Sequence, residues 1–342
     1  MAEANQTIDT RVAPTSATLE QLSTGLSRQP RTLWGDAWRR FRRHKLAMIG
    51  VAILTFFALT VTVGAPLYVQ YRVSQAEATG IPILPRDRTL PKVMNALDFM
   101  AINSPPSAAH PFGTDELGRD LLARAIYGGR ISLAVGFVAM LIAVSLGAII
   151  GSVSGFFGGT IDQLLMRLTD LFLSLPGIPL ILLTVYLFRE PVTRALGPET
   201  GIFVIVVTVI GGLAWMSTAR IVRATFLSLK QKEFVEAATA LGISRWAIMF
   251  KHILPNAFSP IIVAATLEVG SAIITESTLS FLGVGFPPDT PTWGRLVTDG
   301  SQFLQVAPWL ALFPGALIFL TVLSINFLGD GLRDALDPRS RL

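Results

Sequence analysis

Five stretches of this chain, Leu46–Tyr71, Ile131–Ile161, Leu171–Phe188, Thr200–Ala219 and Gly300–Gly329, contain no Asp, Glu, Lys or Arg. Together they occupy 125 of the 342 residues. A helix built this way has no polar face to turn toward water, and about 20 apolar residues are what a hydrocarbon layer of about 30 Å requires. Lipid offers the backbone no hydrogen bonds, so each run is expected to be a helix that satisfies its own. Composition agrees: the chain is 51% hydrophobic and 15% charged, and all 51 charged residues fall on the remaining 217 positions, an ordinary soluble density. Charge-free runs this long exclude a water-soluble enzyme, and the apolar content excludes a disordered chain. The absence of cysteine excludes a disulfide scaffold, a thiolate metal site and a cysteine nucleophile.

The expected fold class is therefore an all-α membrane protein with six transmembrane helices, at about 46–67, 131–157, 171–188, 201–219, 257–279 and 303–328. The fifth is interrupted by Glu268 and ends near Glu276. Met1–Pro30 is polar and rich in Ser, Thr and Gln, unlike a secretory signal, so the first span is expected to stay in the mature protein behind a disordered tail. Basic residues favour the cytoplasmic side of a span. With the Arg39, Arg40, Arg42, Arg43 and Lys45 cluster inside, the inner segments hold 18 Lys and Arg and the two short outer loops hold 3. Both termini are then cytoplasmic. The net charge of +5 records topology, since no soluble domain gathers it into a nucleic-acid surface. The expected divisions are a tail at 1–30, a basic segment and first helix at 31–72, and an extracytoplasmic loop with an amphipathic helix at 73–130. A five-helix core at 131–330, carrying a cytoplasmic loop at 220–256, and a cytoplasmic tail at 331–342 follow.

The loop between the fourth and fifth spans reads from Gln231 as QKEFVEAATALGISRWAIMFKHILPN. Good helix formers from Glu233 to Leu241, a break at Gly242, a second short helix capped by Ser244 and a stop at Pro255 predict a helix-turn-helix hairpin. Ala237, Ala238 and Ala240 permit close backbone approach, Glu236 offers an acceptor, and Phe234, Trp246, Ile248, Met249 and Phe250 offer apolar anchors for a groove on another protein. The same pattern also suits an amphipathic helix lying on the membrane.

The string Glu236-Ala237-Ala238, then Gly242, then Leu254-Pro255 resembles the EAA-x3-G-x9-I-x-LP loop of permease subunits in binding-protein-dependent ABC importers. Every spacing agrees, and His252 stands where that motif has Ile. The local form HILPN resembles the dipeptide, oligopeptide and nickel branch. Arg39–Val51, the segment HPFGTDELGRD at His110–Asp120 and the segment ESTLSFLGVGFPPDTPTWG at Glu276–Gly294 are similar to stretches of that branch's second permease, so the likeness covers about residues 30 to 340. It implies a type I ABC importer permease fold in a bacterial inner membrane, carrying di- or oligopeptides, with nickel chelates or glutathione as alternatives. It also implies four kinds of partner: a second homologous permease, two cytoplasmic P-loop ATPases that hold the ATP and Mg, an extracytoplasmic binding protein and the bilayer, with no cofactor in this chain. Glu236, Ala237, Ala238, Gly242, His252, Leu254 and Pro255 would form the ATPase-coupling surface.

The outer loop 72–130 is irregular where Pro82, Pro85, Pro91, Pro105, Pro106 and Pro111 fall. From Thr114, read as an N-cap, it is expected to become an amphipathic helix with Arg119, Arg124 and Arg130 among its polar positions, either packing on the bundle or docking a partner. Gly283, Gly285, Pro287, Pro288, Pro291 and Gly294 break the loop 276–302. Irregular backbone near membrane depth needs surrounding protein or a water-filled cavity, so this loop is a candidate cap on the translocation path, or a plain re-entrant packing element. Glu268, Glu276 and Phe281 are the candidate path residues. An exposed carboxylate at mid-membrane costs several kcal/mol, so Glu268 is expected to face the bundle interior, as a path residue or a satisfied hydrogen-bond partner. Pro176 and Pro179, and Pro308 and Pro314, are expected to kink their spans, and Gly147, Gly151 and Gly155 to permit close helix contact.

His44, His110 and His252 are the only histidines and fall in three separate segments, so no histidine metal site is expected. No G-x-x-x-x-G-K-[ST] string occurs, so ATP hydrolysis by a P-loop is expected of partners and not of this non-catalytic chain. A secondary transporter would show similar halves and several deep ionisable residues, and an intramembrane enzyme paired catalytic groups at depth. Neither pattern is present.

Overall fold

The computed structural model describes residues 33–79 and 89–336. The expected N-terminal tail, Pro82 and Pro85 of the outer loop and the end of the C-terminal tail lie outside the described residues. Among the described residues all regular structure is helical, apart from one isolated bridge between Thr114 and Asp120. Five helical segments are long and apolar enough to cross a membrane, Lys45–Gln75, Leu121–Phe157, Pro198–Lys230, Arg245–Phe281 and Trp309–Leu336, and one bent pair makes a sixth.

The chain enters through a short basic helix, α1 (Leu33–Arg43). His44 then leaves helical geometry and caps the next helix, its Nδ1 accepting from the Ala47 amide at 3.1 Å. The first span follows as α2 (Lys45–Leu59), a π turn at Thr60–Gly64 and α3 (Ala65–Thr79). The π turn sits directly ahead of Pro66, whose ring would strike a carbonyl in an unwidened coil and whose nitrogen has no proton to donate. In the wider register the Val61 carbonyl loses its donor, and Arg130 Nε of a neighbouring helix donates to it instead.

After a short helix α4 (Leu90–Met94) the chain becomes irregular and re-enters the bundle as α5 (Leu121–Phe157), one unbroken helix of 37 residues. This corrects the helix expected from Thr114 and the division expected at 130. Thr114 caps nothing. Gly113 and Gly118 hold positive φ of 79° and 71°, and a Cβ on Gly118 would lie 1.8 Å from the Asp98 carbonyl. Asp115 folds back to accept from the amides of Leu117 and Arg119, local bonding that competes with a helix. Asp120 is the true N-cap, accepting from the Ala123 amide at 2.8 Å. Arg119 and Arg124 are buried rather than polar-face residues: Arg119 pairs with Asp115 at 2.7 Å, and Arg124 is 0% exposed and donates to the Pro288 carbonyl.

The run expected as one kinked span at 171–188 is two helices, α6 (Gly159–Ser174) and α7 (Gly177–Leu196), bent by 87°. Pro176 disfavours helical geometry at the residue before it, and Leu175 is extended at φ −79° and ψ 141°. The fourth span is α8 (Pro198–Gly212), a turn, and α9 (Trp215–Lys230). Past the hairpin, the fifth span ends in α12 (Leu254–Phe281). The loop after it is shorter than expected, because α13 (Trp293–Ser301) begins at the Thr292 cap. The last span, α14 (Trp309–Leu336), starts six residues later than expected, with Pro308 just outside it and Pro314 within it.

The most extensive helix contact joins α5 and α9. Gly147, Gly151 and Gly155 line its seam: a Cβ at these positions would lie 2.6 Å from Thr218 Cβ, 2.4 Å from the Ala219 carbonyl and 2.7 Å from Phe226 Cβ. The second seam runs between α12 and α5. Glu276 is fully buried there, and its Oε1 accepts from Ser280 Oγ at 2.8 Å and Thr292 Oγ1 at 2.7 Å. Thr292 also caps α13, and the next amide, of Trp293, donates to Ser132 of α5. Trp293 Nε1 donates to the Ala125 carbonyl at 2.9 Å. Glu276 therefore holds the returning loop against two spans.

Two stability outcomes follow. Gly151→Val should drive a side chain into the α9 backbone and cost about 3 kcal/mol, whereas Gly212→Ala, with nothing within 4 Å, should be near neutral. Glu276→Gln keeps an acceptor for both hydroxyls and should stay within about 1 kcal/mol of the parent. Glu276→Leu leaves both unpaired and should cost about 2–4 kcal/mol. Thermal unfolding of the detergent-solubilised protein measures all four.

Candidate functional site

The hairpin between the fourth and fifth spans is built from α10 (Glu233–Ala240), a turn at Leu241–Gly242 and α11 (Arg245–Ala247). Gly242 has φ +73° and nothing within 4 Å of where a Cβ would sit, so backbone conformation and not crowding requires glycine. Ser244 caps α11 as expected, accepting from the Ala247 amide at 3.3 Å. The expected stop at Pro255 is overturned. A π segment at Ile248–Ile253 precedes that proline, the hairpin's second arm passes without a break into α12, and Pro255 sits in its first turn. Both π segments among the described residues thus lie just ahead of a proline.

The hairpin has an inner and an outer face. Inside, Val235, Ala238, Ile248, Met249, Ile253 and Ala257 pack with Val222 and Phe226 of α9. Ile248 and Met249, read as anchors for a partner, instead hold the hairpin to its own bundle. Outside, Leu241 is 80% exposed, and Phe234, Trp246 and Phe250 are exposed as well. Trp246 stacks on Phe250 at 6.0 Å and meets Phe157 edge-on at 5.5 Å. Glu236 and Ala237 are exposed while Ala238 faces in, so the three motif positions divide between the outer face and the core. Leu254 packs against the inner cluster, His252 is half-buried with its carbonyl accepting from Asn256, and Pro255 is exposed. A cleft of about 670 Å³ opens beside α10, lined by Glu236, Thr239, Arg245, Lys230 and Phe156 among others.

Ion pairs strap the hairpin's stem to the half-helix that follows α5. Arg223 of α9 makes a bidentate pair with Asp162 of α6 at 2.5 and 2.6 Å, and Arg220 pairs with Asp170. Lys230 donates to the Phe156 carbonyl at 2.7 Å and lies over that ring. Sequence reasoning missed these pairs, because partners about 50 to 60 positions apart share no periodicity.

The three candidate path residues separate. Glu276 lines no surface, being enclosed as described, and is corrected to a structural group. Phe281 is 61% exposed at the end of α12. Glu268 is half-buried and borders a cavity of about 370 Å³ beside the α6–α7 break. Among the described residues no group of three or more His, Asp or Glu is placed to hold a metal ion.

Comparison with known proteins gives this arrangement its context. Residues 143–342 match the family described as binding-protein-dependent transport system inner membrane component, and residues 32–82 match the N-terminal TM domain of oligopeptide transport permease C. The chain is 42% identical to the oligopeptide transport system permease protein OppC of Haemophilus influenzae, over 91% of this chain and 90% of that one. It is 39% identical to the dipeptide transport system permease protein DppC of Alkalihalophilus pseudofirmus, over 90% of each. It is 36% identical to the glutathione transport system permease protein GsiD of Pectobacterium atrosepticum, over 90% and 92%. With six apolar spans and a match over most of its length, the chain belongs to the inner-membrane permease components of binding-protein-dependent transport systems, as a transmembrane importer permease subunit.

Proposed function

We propose that this permease forms half of the pore of an ATP-driven importer of di- or oligopeptides, pairing with a second permease, two cytoplasmic ATPases and an extracytoplasmic binding protein. Relatives named for oligopeptide and dipeptide transport, over about nine-tenths of the chain, support the solute class. The relative named for glutathione transports, by its name, a molecule that is itself a small peptide. Both termini face the cytoplasm in this reading, in keeping with the clustered basic residues at Arg39–Lys45.

The single observation that carries the mechanism is the hairpin Glu233–Pro255, which bares Leu241, Trp246 and Phe250 while its other face is built into the fourth and fifth spans. An exposed apolar edge around a short acidic helix fits a groove on an ATPase. Because its second arm runs unbroken into the fifth span, a push on the hairpin is a push on the membrane helix. Nucleotide-driven closure of the ATPases would then tilt the spans and switch the pore between inward-facing and outward-facing states. ATP and Mg stay on the partners, and this chain supplies no catalysis.

Reconstitution of the complete transporter tests the reading. The double variant Glu236→Ala/Gly242→Val should insert and assemble normally while ATP-driven uptake of trialanine falls at least tenfold and ATPase activity no longer responds to loaded binding protein. Parental uptake by that variant rejects the coupling role. Uptake confined to sugars by the parental complex rejects the peptide class.

A further inference from the structure

Two carboxylates lie eight residues apart on α12, and their surroundings differ. Glu276 receives hydroxyls from Ser280 and Thr292 and is sealed from any solute. Glu268 is half-buried, and among the described residues no charged neighbour or side-chain hydrogen bond acts on it. It opens on the 370 Å³ cavity, together with Ser271 and Thr275 at the three- and four-residue spacings that place all three on one helix face. The opposite wall is the broken part of the third span, Leu175 and Gly177, and Ser217 of α9 adds another hydroxyl. The volume is within the range of small-ligand pockets.

We propose that Glu268, with Ser271 and Thr275 beside it, forms a subsite in the translocation path that receives the ammonium group of a transiting solute, the free amino terminus of a peptide. The inference rests on the peptide-importer reading above. A lone carboxylate at membrane depth costs several kcal/mol unless a cation meets it, and among the described residues the cavity is lined by hydroxyls but by no cation. An ammonium group has three donors, which one carboxylate and adjacent hydroxyl oxygens can take up together. A metal ion is the poorer match, since no second carboxylate or imidazole joins the site among the described residues. One charge backed by neutral hydroxyls also keeps the affinity low enough for release, as passage requires.

The chain has no cysteine, so Ser271→Cys places in it a single thiol one turn from Glu268. The complete transporter carrying this substitution is treated with a cationic 2-aminoethyl methanethiosulfonate and a neutral ethyl methanethiosulfonate, nucleotide-free and vanadate-trapped, with the unsubstituted complex as blank. Relative to a free thiol, the cationic reagent should be favoured about tenfold, the effect of one nearby carboxylate in a partly wet cavity. Adding Glu268→Gln should bring the ratio to about one. Millimolar trialanine should slow labelling, N-acetyl-trialanine should not, and Glu268→Gln should abolish the difference.

An unchanged ratio in the Glu268→Gln background overturns the proposal. A thiol unreactive in both states also overturns it, by placing the cavity off the path. If no preference for the cation exists and Glu268→Gln instead dissociates the complex, the carboxylate serves a cation of the second permease and the proposal falls. ATP-driven trialanine uptake by the parental proteoliposomes, measured in the same preparation, separates the two readings. Its absence rejects peptide transport, and its presence with an unmoved ratio rejects only the subsite.

Discussion

A backbone in lipid has no water to turn to, and two departures of this chain from regular helix are matched by a donor or acceptor brought from elsewhere. The π turn ahead of Pro66 releases the Val61 carbonyl, and Arg130 covers it from α5. The irregular loop after α12 has its Pro288 carbonyl met by Arg124 and its Thr292 hydroxyl met by Glu276. Arg124 and Glu276, both fully buried, are thus explained less by solute chemistry than by the irregular backbone they support.

The same constraint organises the packing around the hairpin. Helices that approach through glycine gain packing that lipid itself cannot outcompete, and Gly147, Gly151 and Gly155 bring α5 against the stem of the hairpin. The Asp162–Arg223 pair then holds that stem to α6. The hairpin, the fourth span and the first half of the third form one packed group, and its free edge is the bend at Leu175–Pro176, where the cavity containing Glu268 lies.

The sequence made some of this readable and hid the rest, for physical reasons. Charge-free runs located the spans because hydropathy is a local property. Gly242 and Ser244 marked the hairpin's turn and cap because turn chemistry is local too. Thr114 misled because Asp115 and two glycines at positive φ won the competition for that segment. Pro255 misled because a π segment let the helix pass through it. Pro176, by contrast, produced a break where only a kink was expected. The division of Glu268 from Glu276 was unreadable, because it depends on Thr292, sixteen residues further on, folding back onto one carboxylate and not the other.

The length of α5 has a consequence for how much of it lipid can cover. Thirty-seven residues at ~1.5 Å each make a rod of about 55 Å, against a hydrocarbon thickness of about 30 Å. Even a tilted rod of this length stands well clear of the lipid. The buried His110–Asp120 and Asp115–Arg119 pairs stand immediately ahead of α5, Asp120 serving as its cap, and Leu121 and Ala125 of its first turns pack with Leu296 and Leu310. The start of the rod is thus braced on both sides, by ion pairs in the segment ahead of it and by apolar contacts to α13 and α14, so α5 and the last span meet there as one packed unit.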